Sequence, residues 1–351
     1  MALKKEVTIY DIAKRLHLSA STISRGLSGH PEIRKDTVRR IQQTAQAMGY
    51  QQNTFASNLR KNKSNTIGVI LPRLDSNFQS SVIAGIENMV SKQGYNLIIS
   101  QSRESMDREK KSVQTLFNSR IEGLLISLAC DTCNLEHLNT LYKKEVPIVF
   151  FDRVQDHPEY SSSKVVIDNV KAGFDATEHL IQQGCSRIVY LSDNRKSNVY
   201  SERFEGYKNA LKSYKLPYDE ELVFEDRLNE ESGKRTVSKM LRLQQRPDAV
   251  FAANDTSAVA IICQLKRTGI RVPEEVAVVG FNNVHVSRII DPSLTTIHYP
   301  GMEMGEVAAS ALIELLNLKE APITKKIVLE HRLIIRESSL KKNAILHGTE
   351  S

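Results

Sequence analysis

Apolar residues recur at helical spacing three times within the first fifty positions. Ile9, Ile12, Ala13 and Leu16 share one face of a first helix. Thr8, with Asp11 three residues on, is a capping-box-like start for it. Ser19 is a good N-cap for a second helix, in which Ile23 and Leu27 fall on one side and Ala20, Ser21, Ser24, Arg25 and Ser28 on the other. A third helix is expected around 35–48, with Val38, Ile41, Ala45 and Met48 inward and Gly49 at its C-terminal end. From Thr66 the period changes. Short apolar runs at 67–71, 96–100, 123–128, 147–152, 164–168, 187–192, 249–254 and 276–282 alternate with helical patterns. Such alternation predicts parallel sheet with helices on both faces. Eight strands over this length suit one barrel or two doubly wound lobes, and the similarity of the two halves favours two lobes.

Charge sharpens the division. The chain has 351 residues and a formal net charge of +7. Residues 1–63 hold twelve Lys/Arg against four Asp/Glu, whereas the remainder holds 36 against 37. The positive charge therefore sits on a short N-terminal module, the footprint of a polyanion binder. A solvated basic tail would lack the regular apolar spacing seen here.

Two short helices joined by a tight turn and completed by a third form a helix-turn-helix arrangement. Small residues at the front of the second helix let its backbone lie close to base edges in the major groove. Hydroxyls and helix-start N–H groups suit phosphates, and Arg25, a turn further on, is long enough for a guanine contact. In open α/β sheets ligands bind outside the carboxyl ends of strands. Asp152, Asn254 and Asn282, at strand ends, and Arg203, opening a helix, are the candidates there.

The stretch "VTIYDIAKRLHLSASTISRGLSG" resembles the N-terminal signature of the LacI/GalR family of bacterial transcription regulators. "DSNFQSSVIAGIE", "FFDR", "RFEGY", "AANDTSA", "VGFN" and "DPSLTTIHYP" match in order, so the resemblance runs over nearly the whole chain. It implies base contacts from Ala20, Ser21 and Arg25, and phosphate contacts from Thr8, Ser19, Thr22, Ser24 and Asn53. It also implies a hinge helix over 53–60 that forms on the operator, with Ala56 in close packing, Leu59 as a minor-groove wedge and Arg60 beside it. The implied fold is α/β: a three-helix helix-turn-helix domain at 1–52, a hinge and linker at 53–65, and a two-lobed, periplasmic-binding-protein-like core of doubly wound parallel sheets at 66–340, with a tail at 341–351. The first lobe is expected over about 66–163 plus part of 294–330, and the second over about 164–293 plus the C-terminal strand. Asn77, Phe78, Asp152, Arg203, Asn254 and Asn282 would contact an effector in the cleft: a sugar, sugar acid or sugar phosphate. The family usually has Asp where Asn282 stands, and the lost charge favours an acidic group that Arg203 would hold bidentately. Three residues depart from the signature: His17 in the turn, Arg34 at the third helix cap, and Gln52 before Asn53.

Other chemistry is less well supported. Cys130 and Cys133 form a CxxC near His137, but no second CxxC or HxxxH completes a zinc site, and no Pro stands between the cysteines. GxSxG, HExxH, Walker A and GxGxxG motifs do not occur. The expectation is a cytoplasmic, ligand-responsive repressor that binds a double-stranded operator as a homodimer. It is not expected to be an enzyme, and it is expected to need no cofactor and no metal and to have no membrane partner. A secreted solute-binding protein would carry a signal peptide, for which "MALKKEVTIYDIAKRL" has no apolar core.

Overall fold

The computed structural model describes residues 7–50, 64–318 and 324–341. The expected contacts at Asn53, Ala56, Leu59 and Arg60 lie outside the described residues. The chain divides into two compact units, Met1–Ser64 and Asn65–Ser351.

The first unit contains α1 (Ile9–Leu16), α2 (Ala20–Leu27) and α3 (Lys35–Ala47). Ile12, Ala13, Ile23, Ile41 and Ala45 form its buried core. Gly26 is part of the reason the core closes: a Cβ there would lie 2.4 Å from Cδ1 of Ile41. The Asp11 carboxylate accepts from the Thr8 N–H at 2.8 Å and from its hydroxyl at 2.7 Å, and Ser19 Oγ accepts from the Thr22 N–H at 3.1 Å. Two of the departures from the signature have visible consequences. His17 ends α1 in the left-handed region at φ 54°, where a side chain costs roughly 1–2 kcal/mol. Arg34, at the α3 N-cap, makes no side-chain cap bond.

The second unit runs β1 (Thr66–Leu71), α4 (Asn77–Lys92), β2 (Asn96–Gln101), α5 (Met106–Asn118), β3 (Gly123–Ile126), α6 (Asn139–Tyr142), β4 (Ile148–Phe151) and β5 (Ser163–Ile167). It continues with α7 (Asn169–Gln182), β6 (Ile188–Ser192), α8 (Asn198–Ser213), β7 (Val223–Glu225), α9 (Glu230–Met240), β8 (Ala249–Ala252), α10 (Asp255–Arg267) and β9 (Ala277–Asn282). It ends with α11 (Val286–Ile289), β10 (Thr295–His298), α12 (Gly301–Asn317), β11 (Lys326–Leu329) and β12 (Arg332–Ile334).

Two six-stranded sheets result, in the orders β11-β5-β4-β3-β1-β2 and β12-β10-β9-β8-β6-β7. Every pairing is parallel except β10 with β12. The chain crosses between lobes after β5, after β10 and after β11. The lobe boundaries differ from those expected. The run expected to open the second lobe at 164 is β5, which pairs with β4 in the first lobe, and β10 belongs to the second lobe's sheet rather than the first. The strands β7, β10, β11 and β12 were not legible as apolar runs; they are three or four residues long, and β7, β11 and β12 carry exposed positions.

Each lobe is backed by a close helix pair. In the first, Gly85 on α4 faces Gly305 on α12, and a Cβ at either would meet a carbonyl oxygen of the opposite helix at 2.1 or 2.0 Å. In the second, Gly173 on α7 and Gly206 on α8 do the same, and Gly173 lies against the backbone of Arg203, with a Cβ only 2.3 Å from its carbonyl oxygen. This crossing fixes where Arg203 leaves α8.

Candidate functional site

The carboxyl ends of the strands of both lobes face one cleft of about 760 Å³. All six cleft candidates line it: Asn77, Phe78, Asp152, Arg203, Asn254 and Asn282. Their surroundings differ in ways the sequence did not reveal.

Asp152 follows β4 with φ 59° and is buried. Its Oδ2 accepts from Gln79 Nε2 at 3.1 Å and Ser127 Oγ at 3.2 Å, and its Oδ1 accepts from the Tyr299 hydroxyl at 2.8 Å. Burial, and then the Asp152 carboxylate, hold that hydroxyl's pKa well above its ordinary value. Phe78 stacks on the Tyr299 ring at 4.2 Å. Gln79 was not foreseen. It is 5% exposed, and with Nε2 committed to Asp152 its Oε1 is buried without a hydrogen-bond partner among the described residues. A buried acceptor left open in a cleft wall suits a ligand hydroxyl.

Arg203 is 3% exposed and lies flat against Phe281, its guanidinium carbon 3.5 Å from the ring centroid. Nε donates to Asn169 Oδ1 at 2.9 Å and Nη1 to the Ala253 carbonyl at 3.1 Å. Its Nε is thus already in use, so a bidentate grip on an acid would have to come from the Nη1–Nη2 edge. Asn254 is the N-cap of α10: Oδ1 accepts from the Ser257 N–H at 2.9 Å and Nδ2 donates to the Leu228 carbonyl at 2.9 Å. The cap falls on Asn254, and Asp255 is the first helical residue.

Asn282 and Asn283 are both left-handed, at φ 107° and 52°. A buried network holds this turn. Asp255 Oδ2 accepts from the Val284 N–H at 2.8 Å and Oδ1 from Thr296 Oγ1 at 2.6 Å. Arg336 Nη2 donates to Asn283 Oδ1 at 2.7 Å. Burial pushes the Asp255 carboxyl up to about 7, against the lowering effect of those hydrogen bonds and of Arg336.

In the first unit, Ser21 and Arg25 are exposed on α2 beside the half-buried Ala20, Thr22 and Ser24. Arg25 Nη1 lies 3.3 Å from Glu32 Oε2. Both side chains are exposed, so the pair is weak and readily exchanged. The loop that carries the CxxC is held by Glu109. Buried Glu109 accepts from the Ala129 N–H at 2.7 Å and Thr132 Oγ1 at 3.0 Å, and lies 2.9 Å from His137 Nε2. Cys130, Cys133, Cys185 and Cys263 are free thiols, and burial pushes the Cys130 thiol up to about 11. Among the described residues no cluster of His, Cys, Asp and Glu is placed to hold a metal ion, and no helix is long and apolar enough to cross a membrane.

Residues 8–53 match the model for bacterial regulatory proteins of the lacI family, and residues 177–339 match a periplasmic binding protein-like domain. The chain is 30% identical to catabolite control protein A of Priestia megaterium over 95% of its own length and 99% of that protein. It is also 30% identical to the HTH-type transcriptional repressor PurR of Aliivibrio salmonicida, over the same shares. Among solved structures, it superposes on a transcriptional regulator CelR–cellobiose complex with a TM-score of 0.71 at 26% identity, covering 95% of this chain and 100% of the other.

Proposed function

The chain belongs to the lacI family of bacterial regulatory proteins and is a DNA-binding transcription regulator; from that premise we propose that it is a cytoplasmic homodimeric repressor of a palindromic operator, and that a small hydroxylated effector in the cleft controls its grip on DNA. The relatives are named as regulators rather than enzymes, and one similar structure is named with a bound disaccharide.

The observation that carries the effector reading is the cleft itself. It is lined by Asp152 of the first lobe and Arg203 of the second, and among the described residues the Gln79 acceptor beside Asp152 is left open. A ligand touching both walls stabilises one arrangement of the lobes over another, and it can shift operator affinity only by its differential affinity for the two. On the DNA side, Ala20, Ser21 and Arg25 read bases, and Arg25 exchanges its exposed Glu32 partner for a guanine edge. Thr8, Ser19, Thr22, Ser24 and Asn53 hold phosphates. Leu59, beside Ala56 and Arg60, wedges the minor groove.

The test uses the full-length protein to select DNA from a random pool, followed by anisotropy titrations of the selected sequence. A palindromic consensus is expected, with log K falling steeply as log salt rises because several phosphates are neutralised per subunit. Recovery of no consensus, or a binding constant flat in salt, overturns the reading.

A further inference from the structure

The cleft holds a second buried arginine, and a residue of its own chain occupies it. Arg153 follows Asp152 at the end of β4 and is 8% exposed. Its Nη2 donates to the Tyr200 hydroxyl at 3.3 Å, across the cleft on α8, and its guanidinium carbon lies 5.4 Å from that ring's centroid. Nη1 rests directly on the Glu104 carboxylate. Among the described residues Glu104 is the one carboxylate paired with Arg153. The same Glu104 oxygen accepts from the Cys130 N–H at 3.1 Å.

Glu104 reaches this seat from a strained turn. It leaves the edge strand β2 through Arg103 and Glu104, both left-handed at φ 50° and 60°. Neither is glycine, so each side chain is strained there. The carboxylate is also the more exposed member of the pair, at 24% against 9% for Arg153. A buried cation is thus capped from the solvent side by a carboxylate held out on a strained loop. Both of its donors, a guanidinium and a backbone N–H, would serve a ligand carboxylate or phosphate oxygen equally well. A ligand anion that takes the place of the Glu104 carboxylate keeps the buried Arg153 cation paired, so that cation is never left uncompensated. Next to this seat, Asp152 holds Gln79 with its Oε1 open.

We propose that Glu104 is a built-in competitor for the acid group of the effector, and that the effector is a hydroxylated carboxylate or phosphate ester whose anion displaces Glu104 from Arg153 while a hydroxyl donates to Gln79. This rests on the cleft being the effector site. It moves the acid grip from Arg203, whose Nε edge is committed to Asn169, to Arg153.

The test is a titration of full-length wild type, Glu104→Gln and Glu104→Gly with acetate and with inorganic phosphate, at constant ionic strength, by calorimetry and thermal shift. Glycine is at ease at φ 60°, so the second variant keeps the turn if the first misfolds. Removing the competitor should tighten anion binding about tenfold over wild type. Phosphate binding elsewhere, including on the basic first unit, is common to all three proteins and cancels in the comparison. The anion that gains more separates a carboxylate effector from a phosphate one. Unchanged acetate and phosphate affinities in both variants overturn the proposal. So does a neutral sugar, such as glucose, that stabilises the wild type while glucuronate and glucose 6-phosphate do not. That second result leaves the cleft as the effector site, whereas an effector response surviving both Arg203→Ala and Asp152→Ala would remove the cleft reading itself.

Discussion

The two walls of the cleft are built differently. On the second lobe, the polar side chains are tied mostly to backbone. Arg203 donates to the Ala253 carbonyl, Asn254 joins the Ser257 N–H to the Leu228 carbonyl, and the Asn282–Asn283 turn hangs from Asp255 through the Val284 N–H. On the first lobe they are tied mostly to other side chains, with Asp152 held by Gln79, Ser127 and Tyr299, and Arg153 by Glu104 and, from the opposite wall, by Tyr200. Backbone partners stay put when a ligand leaves. Side-chain partners can be exchanged for ligand atoms at the cost of rotamer changes alone. The second lobe is therefore a preformed template, and the first is the adaptable wall.

The most severe way to break this contrast is Arg203→Ala. It should abolish the effector's influence on operator binding while leaving operator affinity without effector near the wild-type value. Operator titrations with and without effector measure both, and a mutant that still responds fully would show that Arg203 is structural.

The glycine crossings separate the walls next. Gly173→Ala and Gly305→Ala each force a Cβ onto a facing carbonyl, and each should cost about 1–3 kcal/mol in urea melts. Only Gly173→Ala displaces the backbone of Arg203, so it alone should also weaken effector binding. Equal effector affinities in the two variants would mean that the template does not depend on this crossing.

Gln79→Leu probes the adaptable wall. It removes the open acceptor, and effector affinity should fall about tenfold, the worth of one good hydrogen bond. A neutral result would show that Oε1 meets water rather than ligand.

A pH dependence tests the template wall separately. The folded Asp255 carboxyl titrates near 7, above its unfolded value of 3.8. Between those pH values the folded state keeps a proton that the unfolded state has lost. The contribution of Asp255 to stability is therefore full below about pH 4 and declines as pH rises through 7. Asp255→Asn should flatten this part of the stability curve, and parallel wild-type and mutant curves between pH 5 and 7.5 would contradict the assignment.

Much of the cleft was legible because strand ends are local features. The apolar runs at 147–152, 249–254 and 276–282 put Asp152, Asn254 and Asn282 at strand ends from the sequence alone. Gln79 and Glu104 gave no such signal: one sits within the first turn of α4 and the other in a loop beyond an edge strand. Glu104 shows itself only through two consecutive left-handed residues, which no residue type announces. Arg153 had a weak signal, its place beside Asp152 at a strand end. The strand at 163–167 was assigned to the wrong lobe because an apolar run states that a strand exists and not which sheet receives it.

The sequence by itself determined the basic three-helix unit, the alternating core and the ends of its main strands. Those follow from periods of 3.6 and 2 and from caps, all set within a few residues of one another. Only the tertiary structure decided which polar groups are spent and which remain for a ligand. Asp152 meets Gln79 across 73 residues and Tyr299 across 147, whereas Asn254, next in line at its own strand end, is consumed by a helix cap. A carboxylate or amide can be satisfied by any donor that packing brings within 3 Å, and packing is a property of the whole chain.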